Sequence, residues 1–254
     1  MNLQTFVKGL LYRAGFSIKK LRRARDLRPI GEGKAQTSVR ALLHAVDPYT
    51  GFETSGYSLD LQGWGSESAA FRGVIEEVRP GLIIEVGTWK GASAIHMART
   101  AREIGLSTEV LCIDTWLGAL EFWEAQTDPE RYASLRLKNG YPSVYYQFLA
   151  NVVLSDLTAA ITPFPQTSTI AAMWLRLHGI TARLIYIDAS HEEEDVYEDL
   201  TGYWEILEPG GILLGDDYSW DGVRIAVERF SRERRVPLTM LHDKWFLRKS
   251  PASA

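Results

Sequence analysis

The chain of 254 residues has one cysteine, Cys112, set inside the apolar run Val110-Leu111-Cys112-Ile113. Without a second cysteine no intrachain disulfide can form, which fits a reducing cytoplasm, and the lone thiol reads as a small buried hydrophobe. No apolar run reaches the length of a membrane span, and the first residues carry no signal-peptide core, so a cytoplasmic protein is expected. A broad basic face is missing as well. The net charge is −4; residues 1–28 hold eight Lys and Arg against Asp26, a net +7, which leaves −11 for the rest. An acidic body argues against nucleic-acid binding. The dinucleotide fingerprint G-x-G-x-x-G is absent too, because Trp89 stands where its second close glycine would lie. No His-x-Asp triad for non-haem iron is visible, and there is no internal repeat.

What is present is an ordinary globular composition, 46% apolar, enough for one sizeable core. The run Gly81 to Val86 reads as a buried strand ending on Glu85 and a turn, Gly87-Thr88-Trp89-Lys90-Gly91, with a helix directly after it. The spacing E-x-G-x-x-x-G suits a cationic or zwitterionic ligand better than a pyrophosphate, with Glu85 facing an ammonium. Beyond it, strands at 81–86, 109–114, 158–164, 183–188 and 210–216 alternate with helices near 91–104, 168–178, 192–206 and 220–233. That alternation predicts a doubly wound, mostly parallel α/β sheet. Leu238 to Leu241 and Trp245 to Leu247 flank His242-Asp243-Lys244 as a terminal antiparallel hairpin.

The flanking pieces differ from this body. Residues 1–64 read as an arm or lid ahead of a ligand-binding domain at 65–254. Within it, Leu3, Phe6, Val7, Leu10, Leu11, Ala14, Ile18 and Leu21 form an apolar helical stripe beside basic residues. Such a stripe fits a homodimer interface or a contact with an anionic membrane surface. Residues 29–64 read as loops with one helix near 40–46, and a further helix is expected over 66–78. Segment 116–150 reads as a helical, aromatic-rich insertion over the ligand crevice, where rings could cap an acceptor.

Two groups of residues carry chemistry. Glu85 and Gly87, then Asp114 at the end of the second strand, then Gln166, Thr167 and Ser168 after the third, lie where a nucleoside ligand would be gripped. Asp114 could bind ribose hydroxyls or cap a helix, and 166–168 could cap the next helix or touch an adenine. The second group is Asp188 with His191, and Asp216-Asp217 at the end of the following strand. Carboxylates converging at one strand edge repel unless a cation joins them, and hard oxygen ligands suit magnesium, calcium or manganese. One of the adjacent aspartates could instead cap the helix near Trp220, leaving two ligands. His191 beside such an ion is a general base for a weakly acidic hydroxyl.

The first motif resembles that of class I S-adenosylmethionine (SAM) methyltransferases. Ile187-Asp188-Ala189-Ser190-His191, Leu207-Glu208-Pro209-Gly210-Gly211 and Asp216-Asp217-Tyr218 together are similar to the metal-dependent sugar O-methyltransferases of the macrocin and mycinamicin type. The resemblance runs from about Ser66 to Phe230. It implies a seven-stranded Rossmann-like fold with SAM held by Glu85, Gly87, Thr88, Gly91, Asp114, Gln166 and Ser168. It also implies Mg2+ or Mn2+ on Asp188, Asp216 and Asp217, with His191 and Asp188 as catalytic groups. The acceptor would be a hydroxyl on a small-molecule glycoside or an oligosaccharide. A catechol or phenol acceptor is the second enzymatic reading, and a non-catalytic SAM-binding subunit the third.

Overall fold

The computed structural model describes residues 38–242 and 244–251. The apolar stripe and basic residues of segment 1–28, with their expected interface or membrane role, lie outside the described residues. Among those described, no helix is long and apolar enough to cross a membrane.

Seven strands form one sheet: β1 (Leu82–Val86), β2 (Glu109–Asp114), β3 (Ile161–Pro165), β4 (Ala182–Ile187), β5 (Leu207–Gly215), β6 (Leu238–Leu241) and β7 (Lys244–Arg248). Their order is β3-β2-β1-β4-β5-β7-β6. The first five are parallel, while β7 runs antiparallel to β5 and β6 antiparallel to β7. This is the doubly wound sheet with a terminal hairpin that the sequence predicts.

Side chains alternate between the two faces of the sheet, as the pleat requires. Ile84, Val86, Leu111, Ile113, Ile185 and Ile187 pack with α6 (Ser168–Leu177), α7 (Glu193–Ile206) and α8 (Asp221–Arg234). Ile83, Val110, Cys112, Leu184, Tyr186 and Ile212 pack on the other side with α2 (Ala69–Val78), α3 (Ala92–Glu103) and α5 (Val144–Leu154). Helix α2 shows how local sequence sets an element. Ser68 caps it by accepting from the Ala70 amide, and Ala70, Phe71, Val74, Ile75 and Val78 make its buried stripe. Arg79, at φ 43°, ends it in a left-handed turn. Burial of Phe71, Val74 and Ile75 contributes roughly 1.5–3 kcal/mol each.

Several boundaries differ from expectation: β5 begins at Leu207 rather than 210, α2 at Ala69 rather than 66, and the helix expected near 40–46 ends at Leu43, while two further differences have local reasons. Strand β3 begins at Ile161, not 158, because the Leu157 carbonyl accepts from the amides of Ala160 and Ile161 and closes a turn there. The aromatic segment 116–150 is not one insertion. Its second half belongs to α5, a core helix whose Val144, Phe148, Leu149 and Val152 are buried. Only a 3-10 turn (Leu120–Trp123) and α4 (Pro129–Ser134) stand over the crevice as a cap.

The β3 edge is covered by residues 38–49. Ser38 caps the short α1 (Val39–Leu43), and the Glu109 carboxylate accepts from the amides of Val39 and Arg40, each at 3.0 Å. Arg40 and the Tyr49 hydroxyl both donate to the Ile161 carbonyl, at 2.6 and 2.9 Å. An edge closed in this way cannot pair with another strand.

Candidate active site

Strand order reverses between β1 and β4, and a crevice opens there above the carboxyl ends of the strands. Gly87 makes the turn at φ 83°, and a Cβ on it would lie 1.8 Å from the Asp188 carbonyl oxygen. Glycine is therefore required on steric as well as conformational grounds. Trp89 adopts φ 50°, left-handed for a bulky residue, and its indole Nε1 is buried without a hydrogen-bond partner. Asp114 organises this loop: it accepts from the amides of Thr88 (3.0 Å), Trp89 (2.7 Å) and Trp116 (2.7 Å). Burial pushes its carboxyl above the usual range, and these amides pull it back. Lys90 ties the loop to its neighbour, donating to Asp60 and Gln62 at 2.7 Å each.

Glu85 is not where the sequence places it. Its carboxyl is fully buried beneath the loop, accepting from the hydroxyls of Thr88 and Ser93, and it does not line the crevice. Burial pushes it up to about 7. It shapes the turn rather than facing an ammonium. Gly91 likewise serves the backbone, at φ 85° against the Phe148 ring.

The crevice is a cavity of about 930 Å³. Gly87, Thr88, Asp114, Gln166 and Ser168 line one part of it, and Asp188, His191 and Asp217 another. Thr167 takes the capping role on α6, accepting from the Ile170 amide, and lines the wall together with Gln166 and Ser168. Ser168 is held from behind by Asp199 of α7.

At the other end, Asp188 accepts from the Tyr186 hydroxyl at 2.8 Å. Burial, then the neighbouring Asp217 and Asp216, raise its pKa strongly. Asp217 Oδ2 lies 3.0 Å from His191 Nε2. Burial opposes ionisation of Asp217, but the hydrogen bond and charge of His191 outweigh it and hold the carboxyl below its ordinary value. His191 is raised by the same hydrogen bond; its ring stacks on Trp220 at 4.3 Å, and its Nδ1 lies 3.7 Å from Glu121 Oε1 of the cap.

Asp216 corrects the expected three-carboxylate set. Its Oδ2 is bound by the Lys244 ammonium at 2.5 Å, because a fully buried lysine requires a counter-charge. Among the described residues, no three His, Cys, Asp or Glu side chains meet as a metal site. Asp188 and Asp217 remain as adjacent acids, and Asp188 resists ionising beside the others. That donor set fits a divalent ion that keeps most of its water, as magnesium does with one or two carboxylates.

The cap supplies Phe122, one of the rings of the aromatic segment expected over the crevice, together with Arg131, which sequence reasoning passed over. Phe122 packs on Trp89 at 4.4 Å, and Arg131 lies over Trp64 at 5.1 Å while paired to Glu121 (3.8 Å) and Asp128 (3.5 Å). Lys244, Glu121 and Trp220 were also missed. No spacing rule links them to the motif residues, and only the tertiary fold brings them together.

A doubly wound sheet with a glycine turn and an acidic crevice at its switch point defines an α/β ligand-binding domain. Residues 84–218, more than half of the chain, match a family described as a methyltransferase domain, and the chain belongs to that family. It is 34% identical over 91 residues to rhamnosyl O-methyltransferases of Mycobacterium bovis and Mycobacterium tuberculosis. That match covers 31% of this chain and 37% of each relative, so it spans little more than a third of their length. Among solved structures, the O-methyltransferase NovP is similar with a TM-score of 0.52 at 20% identity, covering 71% of this chain and 78% of that one. A putative O-methyltransferase from Klebsiella pneumoniae gives 0.53 at 19%, covering 84% and 94%. These likenesses bear on the fold.

Proposed function

We propose that this chain transfers the methyl group of SAM to a hydroxyl of a saccharide, on a small-molecule glycoside or an oligosaccharide. The observation that carries the reading is the Asp217–His191 pair facing the cap from the cavity that the glycine turn and Asp114 also line. The names of the mycobacterial relatives support the choice of a sugar.

The carboxylate of Asp217 only accepts, so His191 Nε2 carries a proton and Nδ1 presents its lone pair toward the cap. An acceptor hydroxyl between Nδ1 and the sulfonium methyl gives its proton to Nδ1 as its oxygen attacks carbon. The C–O bond forms as the C–S bond breaks, and the electron pair leaves on sulfur as a neutral thioether. Asp217 holds the ring in place, and Glu121 faces the imidazolium that results. In-line placement and proton removal are the two contributions of these residues. A magnesium or manganese ion, held by Asp188 and Asp217, would supply Lewis-acid polarisation of the hydroxyl.

The reading includes a cytoplasmic homodimer that uses residues 1–28 as its interface or as a membrane contact. Light scattering on a chain lacking them tests the interface, and liposome sedimentation tests the contact. The direct test is release of S-adenosylhomocysteine from SAM on addition of rhamnosides, other glycosides and a catechol. Turnover with a glycoside, reduced in His191→Ala, supports the reading; turnover with the catechol alone overturns the sugar assignment.

A further inference from the structure

Lys244 opens β7 and is fully buried. Its ammonium donates to Asp216 Oδ2 at 2.5 Å and to the Gly65 carbonyl at 3.0 Å, with the rings of Phe71 and Tyr186 each 5.6 Å away. Asp216 is fixed from other directions as well. Its Oδ1 accepts from the Asp217 amide (2.9 Å) and its carbonyl from Trp245 Nε1 (2.8 Å). The acid expected to be a third cation ligand is thus locked to an internal cation one residue away from Asp217.

We propose that Lys244 sets the metal affinity of this site: it keeps Asp216 out of the ligand set and leaves a two-carboxylate site at Asp188 and Asp217. The proposal rests on the metal-assisted reading above. Ligand charge count tunes the affinity of hard cations, so a site with one carboxylate withdrawn holds magnesium weakly. The Asp217 amide, donating to Asp216 Oδ1, holds the same carboxylate from its other side. Together these make a site whose ion depends on water and acceptor oxygens for the rest of its shell.

The experiment is calorimetric titration of MgCl2, and separately MnCl2, into the full chain with S-adenosylhomocysteine present. Four proteins are compared: wild type, Lys244→Met, Asp216→Asn, and the double variant, which removes both charges and leaves no unpaired ion. Lys244→Met should tighten magnesium by about tenfold or more, since it releases a third carboxylate. The double variant should stay within about twofold of wild type, whereas Asp216→Asn alone leaves the Lys244 charge unpaired beside the site and should weaken magnesium. Loss of binding in the double variant overturns the proposal, because Asp216 would then be a ligand. Unchanged affinity in a folded Lys244→Met overturns it too. If that variant does not fold, the charge-neutral double variant decides. Binding that appears only in Lys244→Met supports the role of Lys244 and overturns metal assistance in the wild type. No binding in any of the four overturns both.

Discussion

Asp199 should make the protein less stable as pH rises, and Asp199→Asn should remove that effect. The side chain is 4% exposed in α7, and burial raises its pKa from 3.8 to about 7. The hydroxyl of Ser168 opposes the shift, while Asp195 and Glu198 add to it. A carboxyl whose folded pKa lies above its unfolded one keeps its proton in the folded state over a range where the unfolded chain has lost it. Stability from this group is therefore fully present below about pH 4, declines by about 1.4 kcal/mol per unit, and is lost once pH passes about 7. The gap of about three units sets an upper bound near 4 kcal/mol, and relaxation around a buried charge reduces this to about 1–3 kcal/mol. Asparagine keeps the shape and a bond to Ser168 without the charge. Urea unfolding of both proteins at pH 5 and pH 8 is the assay. Asp199→Asn should gain on wild type between the two, whereas the similar contributions of Glu85 and Asp188 cancel in the difference. An equal offset at both pH values would refute the reasoning.

Other outcomes follow from the loop and the base. Gly87→Ala would place a methyl group 1.8 Å from the Asp188 carbonyl, at a φ of 83°. Calorimetry should find S-adenosylhomocysteine binding weakened by about a hundredfold or more, since strain and clash exceed about 3 kcal/mol; near-normal affinity would mean the loop yields freely. Asp114→Asn exchanges one acceptor oxygen for an amide facing backbone N–H groups, so the same titration should show a loss of roughly 2–3 kcal/mol. His191→Ala should lower kcat by about 10²–10⁴ and leave cofactor affinity intact; equal losses in both would make the residue structural.

Much of the fold was legible because strand and helix signals were local. The apolar run ending at Glu85 and the Ile187-Asp188 strand end lie where alternation placed them. Helix α5 was misassigned because its rings are continuous in sequence with those of the cap, and nothing local marks which half faces the core. At the site, adjacency hid the division between Asp216 and Asp217. Neighbouring residues point apart, one toward Lys244 and the other toward His191. Lys244 itself was placed in the turn of the terminal hairpin. Only the register of β7 against β5, with Trp245 opposite Gly215, carries it into the interior beside Asp216.

Calorimetric titration of S-adenosylhomocysteine into wild type and Asp114→Asn tests the central claim most directly. The account predicts saturable one-to-one binding to wild type and a clear weakening in the variant, because the loop that Asp114 organises lines the cavity proposed to hold the cofactor. No binding to wild type, or equal binding to both, would contradict it.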